Sequence, residues 1–381
     1  MDFLTIIQAS VGIGSMYVLS FLVALTVIVF IHELGHFLVA RWCGVTVEAF
    51  SIGFGKEITG WVDKHGTRWK LSWIPLGGYV KFAGDANAAS LPDANVSQAA
   101  KEPGNFHGKP VWQRAAVVAA GPIANFLLAI VIFAAAYMVV GEPSAEPLVH
   151  EVRAGSAAER AGIQKGDMII SIEGKKIENF SDLQKAVVTR AGDELTVVID
   201  RGGSIITIKV TPDIKEEPDG FGGTMKLGLL GVVGDMEKGI KYEKKGPVAA
   251  VQAGVEQTWF IIDTTFRYLG KLVTGRESAK QLGGFISIGK AAGDAASEGF
   301  FRFVHTIAFL SVSIGLINLF PIPMLDGGHL VYYAIESVRG KPLGANAQEW
   351  GFRIGFSFVI LLMVVGTWND LVRSATVLFG G

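Results

Sequence analysis

Four long apolar stretches constrain the fold of this chain more than any other feature of its sequence. They run from about Tyr17 to Ala40, from Trp112 to Val140, from Phe303 to Phe320 and from Phe352 to Val372. Each is long enough to cross the ~30 Å hydrocarbon core of a lipid bilayer as a helix. Since 50% of the residues are hydrophobic and 18% are charged, the composition excludes a disordered chain and favours a membrane environment. The sequence predicts an α-helical polytopic membrane protein with about four transmembrane helices.

The distribution of basic residues predicts how the chain is oriented in the bilayer. Residues 1–16 contain no Lys or Arg, whereas residues 41–111 contain eight. Because cytoplasmic loops are enriched in basic residues, we expect residues 41–111 in the cytoplasm and residues 141–300 outside it. In a bacterium this means the inner membrane, with the N-terminus on the periplasmic side. The formal net charge of −1 gives no indication of a nucleic-acid partner.

The segment between the second and third apolar stretches has the character of a soluble domain. Residues 146–212 alternate in short strand-like runs, interrupted by two helical patches, which predicts a small β/α domain. Residues 213–299 are predicted as a linker and an amphipathic helix, and residues 247–274 could cross the membrane or lie on it. Residues 1–145 and 300–381 are the predicted N-terminal and C-terminal membrane parts.

The first apolar stretch contains the most specific motif of the chain, HELGH at residues 32–36. Side chains four residues apart share one face of a helix, so His32 and His36 can bind one metal ion. Glu33 follows the first of them and can accept a proton from a metal-bound water. Such polar groups inside a membrane span are costly and functional by default. The alternative is a pair of histidines satisfied by hydrogen bonds within a helix bundle.

A second motif, NLFPIPMLDGGH at residues 318–329, offers the ligand that HELGH lacks. A catalytic zinc ion normally has three protein ligands and a water. The first and third apolar stretches are predicted to run in the same direction, so Asp326 and the histidines lie at similar depths. Pro321 and Pro323 break the helix there and allow Asp326 to turn inward. By itself, Asp326 followed by two glycines could equally be a turn after a helix.

These motifs resemble those of the site-2 proteases, which are intramembrane zinc metalloproteases, and in particular the bacterial regulator-of-sigma-E protease type. HELGH, the membrane-embedded NLFPIPMLDGG and the soluble domain between them carry the resemblance. Further agreement lies in SIGFG at 51–55, IPLGGYVKF at 74–82 and AAGPIANF at 119–126. The domain at 146–212 resembles a PDZ domain, with GIQKGD as its typical turn. The best-known members have two such domains, and this chain has room for one.

The resemblance implies a function and a set of site residues. His32, His36 and Asp326 would bind one zinc ion, and Glu33 would be the catalytic base. The implied substrates are transmembrane segments of single-pass proteins, such as anti-sigma factors or signal-peptide remnants, cut in regulated intramembrane proteolysis. An upstream protease of the site-1 type would act first, and the PDZ-like domain would exclude intact substrates. Asn318 is a candidate for binding the substrate backbone, or for an interhelical hydrogen bond.

Residues 50–82 are predicted to form a β-hairpin or small sheet beside the metal end of the first helix, on the cytoplasmic side and associated with the membrane. Their aromatic and polar residues alternate, and the segment ends shortly after Gly77 and Gly78. An exposed edge strand there could hold an unwound substrate segment by β-addition. The alternative is a hairpin that only packs on the helices.

A different class of function is also compatible with the residues. The chain could be a non-catalytic membrane scaffold, with a partner-binding domain and a structural metal site. Glu33 discriminates between the two, because a structural site does not need a base beside its ligand. Asn125, inside the second apolar stretch, is expected to form a hydrogen bond with a neighbouring helix rather than to contact substrate.

Overall fold

The structure is a computed structural model that describes residues 3–85, 103–218, 224–234, 241–275, 278 and 283–379. The chain divides into two compact units. The first is drawn from residues 1–133, 254–262 and 283–381, and the second from residues 134–253 and 263–282. In the described residues the helices are α1 (Phe3–Trp42), α2 (Val111–Val139), α3 (Ala157–Arg160), α4 (Phe180–Val188), α5 (Pro247–Val273), α6 (Phe285–Ser297), α7 (Phe300–Asn318), α8 (Asp326–Arg339) and α9 (Ala345–Phe379).

Strands occur in both units. In chain order they are β1 (Val47–Val62), β2 (Arg68–Phe82), β3 (Glu142–Ser144), β4 (Glu151–Val152), β5 (Met168–Ile172), β6 (Lys175–Lys176), β7 (Leu195–Arg201), β8 (Ser204–Val210), β9 (Asp213–Pro218), β10 (Thr224–Leu229), β11 (Val232–Val233) and β12 (Lys241–Glu243).

Four helices are long and apolar enough to cross a membrane, which is consistent with the predicted polytopic membrane protein. The segments are Ser15–Trp42 of α1, Val111–Val139 of α2, Phe300–Asn318 of α7 and Asn346–Arg373 of α9. Each matches one of the apolar stretches in the sequence. The amphipathic α5, although it is 27 residues long, is not apolar enough to be one of them.

Strands β1 and β2 form a curled antiparallel pair in the first unit. Residues 49–52 each have two partners, one within 68–71 and one within 78–81. The chain folds back on itself at Gly53, where φ is +86° and a Cβ would lie 2.7 Å from the carbonyl oxygen of Ile74. Among the described residues, 78–81 have strand partners on one side only. This segment is therefore an edge of the small sheet.

The strands pack on α1 and α2 through an aromatic core. Phe50 stacks on Trp69 at 4.4 Å between ring centroids and meets Phe37 of α1 edge to face at 5.7 Å. Val47, Val80 and Val117 complete the buried cluster. Burial of these large rings, at roughly 25 cal/mol per Å² of apolar surface, fixes the sheet beside residues 32–37.

The second unit contains a four-stranded antiparallel sheet in the order β6-β5-β7-β8. Its core is almost wholly aliphatic, and Ile169, Leu195 and Ile199 are among its fully buried side chains. Leu183 of α4 packs into the same core. Asn179 caps the N-terminus of α4, with its side-chain oxygen accepting a hydrogen bond from the backbone N–H of Asp182.

The same core extends beyond residue 212. Strand β11 pairs with β4, and the neighbouring Leu230 is 4% exposed within the aliphatic cluster. Strand β9 pairs with β10 along its whole length. The segment predicted as a linker, whose residues 219–223, 235–240, 276–277 and 279–282 lie outside the described residues, thus also supplies strands to this unit.

A buried carboxylate closes the turn before β5. Asp167 accepts hydrogen bonds from the backbone N–H of Gln164 at 2.8 Å and from Arg201 Nε and Nη2 at 2.7 and 2.8 Å. The Arg201 guanidinium also donates to the carbonyl oxygen of Gly162 at 2.7 Å. One carboxylate and one guanidinium therefore join the two ends of the GIQKGD turn to β7.

Candidate active site

Helix α1 places two imidazoles next to each other on one face. His32 and His36 are one helical turn apart, and both are buried, with 8% of their surface exposed. Their rings meet edge to face at 4.8 Å, and their Nε2 atoms lie 3.2 Å apart. Two ring nitrogens at this distance repel each other unless a proton or a cation lies between them.

The carboxylate of Asp326 reaches the same point from another helix. Helix α7 ends at Asn318, three residues before Pro321, and α8 begins at Asp326 itself. Gly327 and Gly328 allow this close turn, because a Cβ at either position would collide with backbone carbonyl oxygens of residues 319–322. Met324 has φ +107°, a conformation that costs a non-glycine residue free energy. Strain of this kind is concentrated at functional sites.

The three side chains present their ligand atoms to one another. Asp326 Oδ2 lies 3.1 Å from His32 Nε2, and Asp326 Oδ1 lies 3.5 Å from His36 Nε2. Burial alone would raise the pKa of the Asp326 carboxyl, but the imidazoles beside it hold that pKa well below its usual range. The site therefore brings a carboxylate and two imidazoles to one point.

This donor set fits zinc. Among the described residues, His32, His36 and Asp326 are the group of potential metal ligands whose donor atoms all lie within 4.8 Å of one another. A tetrahedral site with metal–ligand bonds of ~2.0–2.1 Å has ligand atoms ~3.3 Å apart. The observed separations of 3.2, 3.1 and 3.5 Å match that spacing. Two imidazoles and one carboxylate are a ligand set typical of catalytic zinc.

The second ring nitrogen of each histidine faces α2. His36 Nδ1 lies 2.9 Å from the carbonyl oxygen of Val117, and His32 Nδ1 lies 3.2 Å from Nδ2 of Asn125. Gly121 lies midway between them, and a Cβ there would collide with the His36 imidazole. Residues 117, 121 and 125 are four apart and so share one face of α2. That face orients both imidazoles.

A cavity of about 380 Å³ opens on these residues. The other residues that we predicted for the site, Glu33, Gly77, Gly78 and Asn318, all line it. The Glu33 side chain lies beside the edge segment of the sheet, whose Val80 lines the same cavity. Gly78 lies against the same side chain, because a Cβ at Gly78 would be 3.1 Å from Glu33 Cγ. A larger residue at 78 would separate the sheet from α1.

The sequence profile of peptidase family M50 matches residues 20–362. The chain belongs to peptidase family M50. A protein of Agrobacterium fabrum named as a zinc metalloprotease is 48% identical over 369 residues, which cover 96% of this chain and 98% of that protein. Metalloprotease MmpA of Caulobacter vibrioides is 41% identical over 93% of this chain and 95% of its own length. The family resemblance seen in the sequence is confirmed.

A more distant relative is the regulator of sigma E protease of Salmonella typhi, which is 31% identical over 93% of this chain and 98% of its own length. The family and the relatives' names confirm the prediction of a zinc metalloprotease with Zn²⁺ as its cofactor. Together with the four apolar helices, they make this protein a membrane metalloprotease.

Two residues of the site were not assigned a role in it from the sequence. Asn125 was expected to bond a neighbouring helix, and the structure places its amide against His32. Gly121 is the small residue that leaves room for the imidazoles. The sequence contains a sign of both roles, because Gly121 and Asn125 are four residues apart inside an apolar span and therefore form one small, polar face of the helix.

Proposed function

We propose that this membrane metalloprotease cleaves the transmembrane segments of single-pass membrane proteins. The observation that carries the proposal is the position of the ligand set: His32 and His36 lie within the apolar Ser15–Trp42 segment of α1. Asp326 joins them directly after the apolar α7. A peptide bond that reaches these residues would therefore lie at membrane depth.

We assign His32, His36 and Asp326 as the residues that hold zinc, and Glu33 as the catalytic base. When bound, zinc acidifies a water molecule and polarises the carbonyl group under attack. Glu33 accepts the proton of the attacking water and then donates it to the amine that leaves. Its place in the lining of the cavity, one residue from His32, supports this role.

The edge of the sheet is proposed to hold the substrate as an extended strand. A helical segment must unwind before cleavage, because its carbonyl groups are already hydrogen-bonded. Residues 78–81 have strand partners on one side only among the described residues, and Gly77 and Gly78 line the cavity. An unwound segment could add to this edge through backbone hydrogen bonds. Asn318, also in the lining, is proposed to bind the substrate backbone.

Exposed apolar side chains on the β1–β2 pair support its association with the membrane. Ile58, Trp61, Trp73 and Leu76 are each more than half exposed. With the basic residues of 41–111, they favour a cytoplasmic-side sheet in contact with the bilayer. We therefore propose that the active site faces the cytoplasmic side of the inner membrane. A reporter that is active only outside the cytoplasm should be active when fused after Val210 and silent when fused after Lys101.

The strand-rich part of the second unit, within residues 146–234 and called the strand unit below, is proposed to be a single PDZ-like domain on the periplasmic side. Its four-stranded sheet, helix α4 and GIQKGD turn support this assignment. The relative from Salmonella typhi is named regulator of sigma E protease. By analogy, we propose regulated intramembrane proteolysis of substrates such as anti-sigma factors or signal-peptide remnants, after a first cut by an upstream protease.

The decisive experiment is cleavage of a tagged single-pass membrane protein co-expressed with this chain. Glu33→Gln should lower the cleavage rate by about 10²–10⁴-fold, since it removes a general base. Glu57→Gln is the matched control, because Glu57 pairs with Arg68 on the sheet and does not line the cavity. Equal loss in both variants, or full cleavage by Glu33→Gln, would show that the assignment of the base is wrong.

A further inference from the structure

The fully buried side chain of Asn125 has one hydrogen-bonding group that interhelical packing does not explain. Its Nδ2 lies 3.2 Å from His32 Nδ1, while its Oδ1 has no hydrogen-bond partner among the described residues. The backbone carbonyl of Asn125, not its amide, joins α2 to α7, by accepting a hydrogen bond from Ser311 Oγ at 2.9 Å. The amide is therefore directed at His32 alone.

His36 shows what a zinc-binding imidazole requires of its second nitrogen. A carbonyl oxygen only accepts hydrogen bonds, so the carbonyl of Val117 requires a proton on His36 Nδ1. In the neutral ring, Nε2 then keeps its lone pair and points it at the ligand cluster. His32 needs the same arrangement before its own Nε2 can bind a metal ion.

Only one orientation of the Asn125 amide permits that arrangement. If the NH₂ group faces His32, it donates to Nδ1, and the proton of the neutral ring is on Nε2, between the ligand atoms. A half-turn of the amide exchanges its oxygen and nitrogen without changing its shape. Oδ1 then accepts from His32 Nδ1–H, and Nε2 is free for the metal. The half-turn keeps one hydrogen bond between the amide and His32, and it leaves the NH₂ group, instead of Oδ1, without a partner among the described residues.

We infer that Asn125 is a positioning residue for the metal site, with its Oδ1 accepting a hydrogen bond from Nδ1–H of His32 when zinc is bound. Partners of this kind fix the tautomer and the ring orientation of histidine ligands, and their loss typically weakens metal binding by about 10–100-fold. The inference rests on the proposed assignment of His32 as a zinc ligand.

The test compares zinc affinities of the full-length chain in detergent, measured by competition with a chelator. Asn125→Leu should weaken zinc binding by about 10–100-fold. Asn125→Asp should bind zinc at least as tightly as the wild type, because a carboxylate accepts the hydrogen bond and leaves no NH₂ group unpaired. Ser311→Ala is the matched control, since it removes the link between α2 and α7 but leaves the amide in place. If Asn125→Leu does not yield folded protein, Asn125→Ala replaces it.

The absorption spectrum of bound Co²⁺ provides a readout that a packing role would not change. At saturating Co²⁺ it should shift in Asn125→Leu, and return to the wild-type spectrum in Asn125→Asp, because the ligand geometry at His32 is lost and then restored. His36→Ala distinguishes a failure of the proposed metal site from a failure of the proposed role of Asn125. If His36→Ala retains full zinc affinity, the proposed metal site and this inference both fail. If His36→Ala loses zinc while Asn125→Leu keeps wild-type zinc affinity, only the inference fails. The same holds if Asn125→Asp binds zinc as weakly as Asn125→Leu does.

Discussion

Two carboxylates, one in each unit, stand beside a glycine at a turn, with Asp167 after Gly166 and Asp326 before Gly327, yet they have opposite surroundings. Asp167 has no exposed side-chain surface and meets only hydrogen-bond donors, from Arg201 and the backbone of Gln164. Asp326 is 18% exposed in its side chain and faces two imidazole nitrogens that also face each other. A carboxylate surrounded by hydrogen-bond donors stabilises a fold, whereas a carboxylate that shares its site with two imidazole nitrogens can hold a proton or a cation between them. Burial of an acid therefore says less about its role than the identity of its neighbours does.

The largest expected effect distinguishes the two acids by metal content. Asp326→Asn should reduce bound zinc from about one per chain to trace levels, since it removes one of three ligands. Asp167→Asn, which makes the same chemical change, should keep its zinc. Metal analysis of the purified proteins measures both. A zinc-loaded Asp326→Asn protein would contradict the assignment of the third ligand.

The next largest effect is expected from removal of the strand unit, which tests whether zinc binding and cleavage depend on the first unit alone. All three proposed zinc ligands and Glu33 lie outside residues 146–234, so a chain without that segment should still bind zinc. If the unit filters substrates, the shortened chain should also cut a substrate whose outer domain is intact, and cutting should still require Glu33. Cleavage assays with trimmed and full-length substrates measure this.

The deletion extends to residue 234 because β11 and Leu230 belong to the same core. A shortened chain that is inserted in the membrane and zinc-loaded, but inactive towards both substrates, would identify the unit as a docking site instead.

A smaller effect is expected on stability within the strand unit. Asp167→Asn removes charge-assisted hydrogen bonds from Arg201 and should destabilise the unit by about 1–3 kcal/mol. Hydrogen exchange of backbone amides in residues 168–210 of the full-length chain measures the change. Amides of α1 and α2 serve as the internal control and should keep their protection. Unchanged exchange in both regions would show that the turn does not depend on this carboxylate.

The same variant should change how the stability of the unit depends on pH. Hydrogen bonds from Arg201 hold the pKa of the Asp167 carboxyl below its usual value, although burial opposes this effect. The resulting stabilisation is fully present above the unfolded-state pKa of about 3.9 and is lost as the pH falls through the lower folded-state value. Protection of residues 168–210 should therefore decline in acid for the wild type, and decline less in Asp167→Asn.

The smallest effect is expected from an exposed acid of the same sheet. Glu194 forms an ion pair with Lys209 at 2.7 Å, but the two side chains are 60% and 70% exposed. Water screens such pairs, so Glu194→Gln should leave hydrogen exchange unchanged. A change in hydrogen exchange as large as that in Asp167→Asn would mean that burial and hydrogen-bond partners do not determine how much each acid contributes to the stability of this unit.

Local patterns explain why much of the architecture could be predicted from the sequence. The four apolar helices followed from stretch length alone, since a bilayer requires about 20 apolar residues. The pairing of His32 with His36 follows from the period of a helix, and the helix end before Asp326 from Pro321 and Pro323. The family and the zinc cofactor followed from the same motifs.

Long-range pairing explains what the sequence did not reveal. The partnership of β11 with β4 joins residues about 80 positions apart, and the charged, glycine-rich segment after residue 212 shows no local sign of it. Likewise, residues 49–52 have two strand partners because the chain folds back at Gly53, which a simple alternating pattern does not predict. The contact of Asn125 with His32 depends on how α2 is rotated against α1, and neither helix determines that alone.

The geometry of the proposed metal site depends on how α1 and α2 are aligned, because residues 117, 121 and 125 of α2 contact the two imidazoles. His36 meets Val117 and His32 meets Asn125, so the two helices run in opposite directions with a fixed offset. A slide of one helical turn, about 5.4 Å, would carry both imidazoles past their partners at once. If His32 and His36 hold zinc as proposed, the α1–α2 pair has to keep this alignment while a substrate enters. The contacts that would orient the ligands lie on α1, α2 and the start of α8, so an opening for substrate would have to come from other elements.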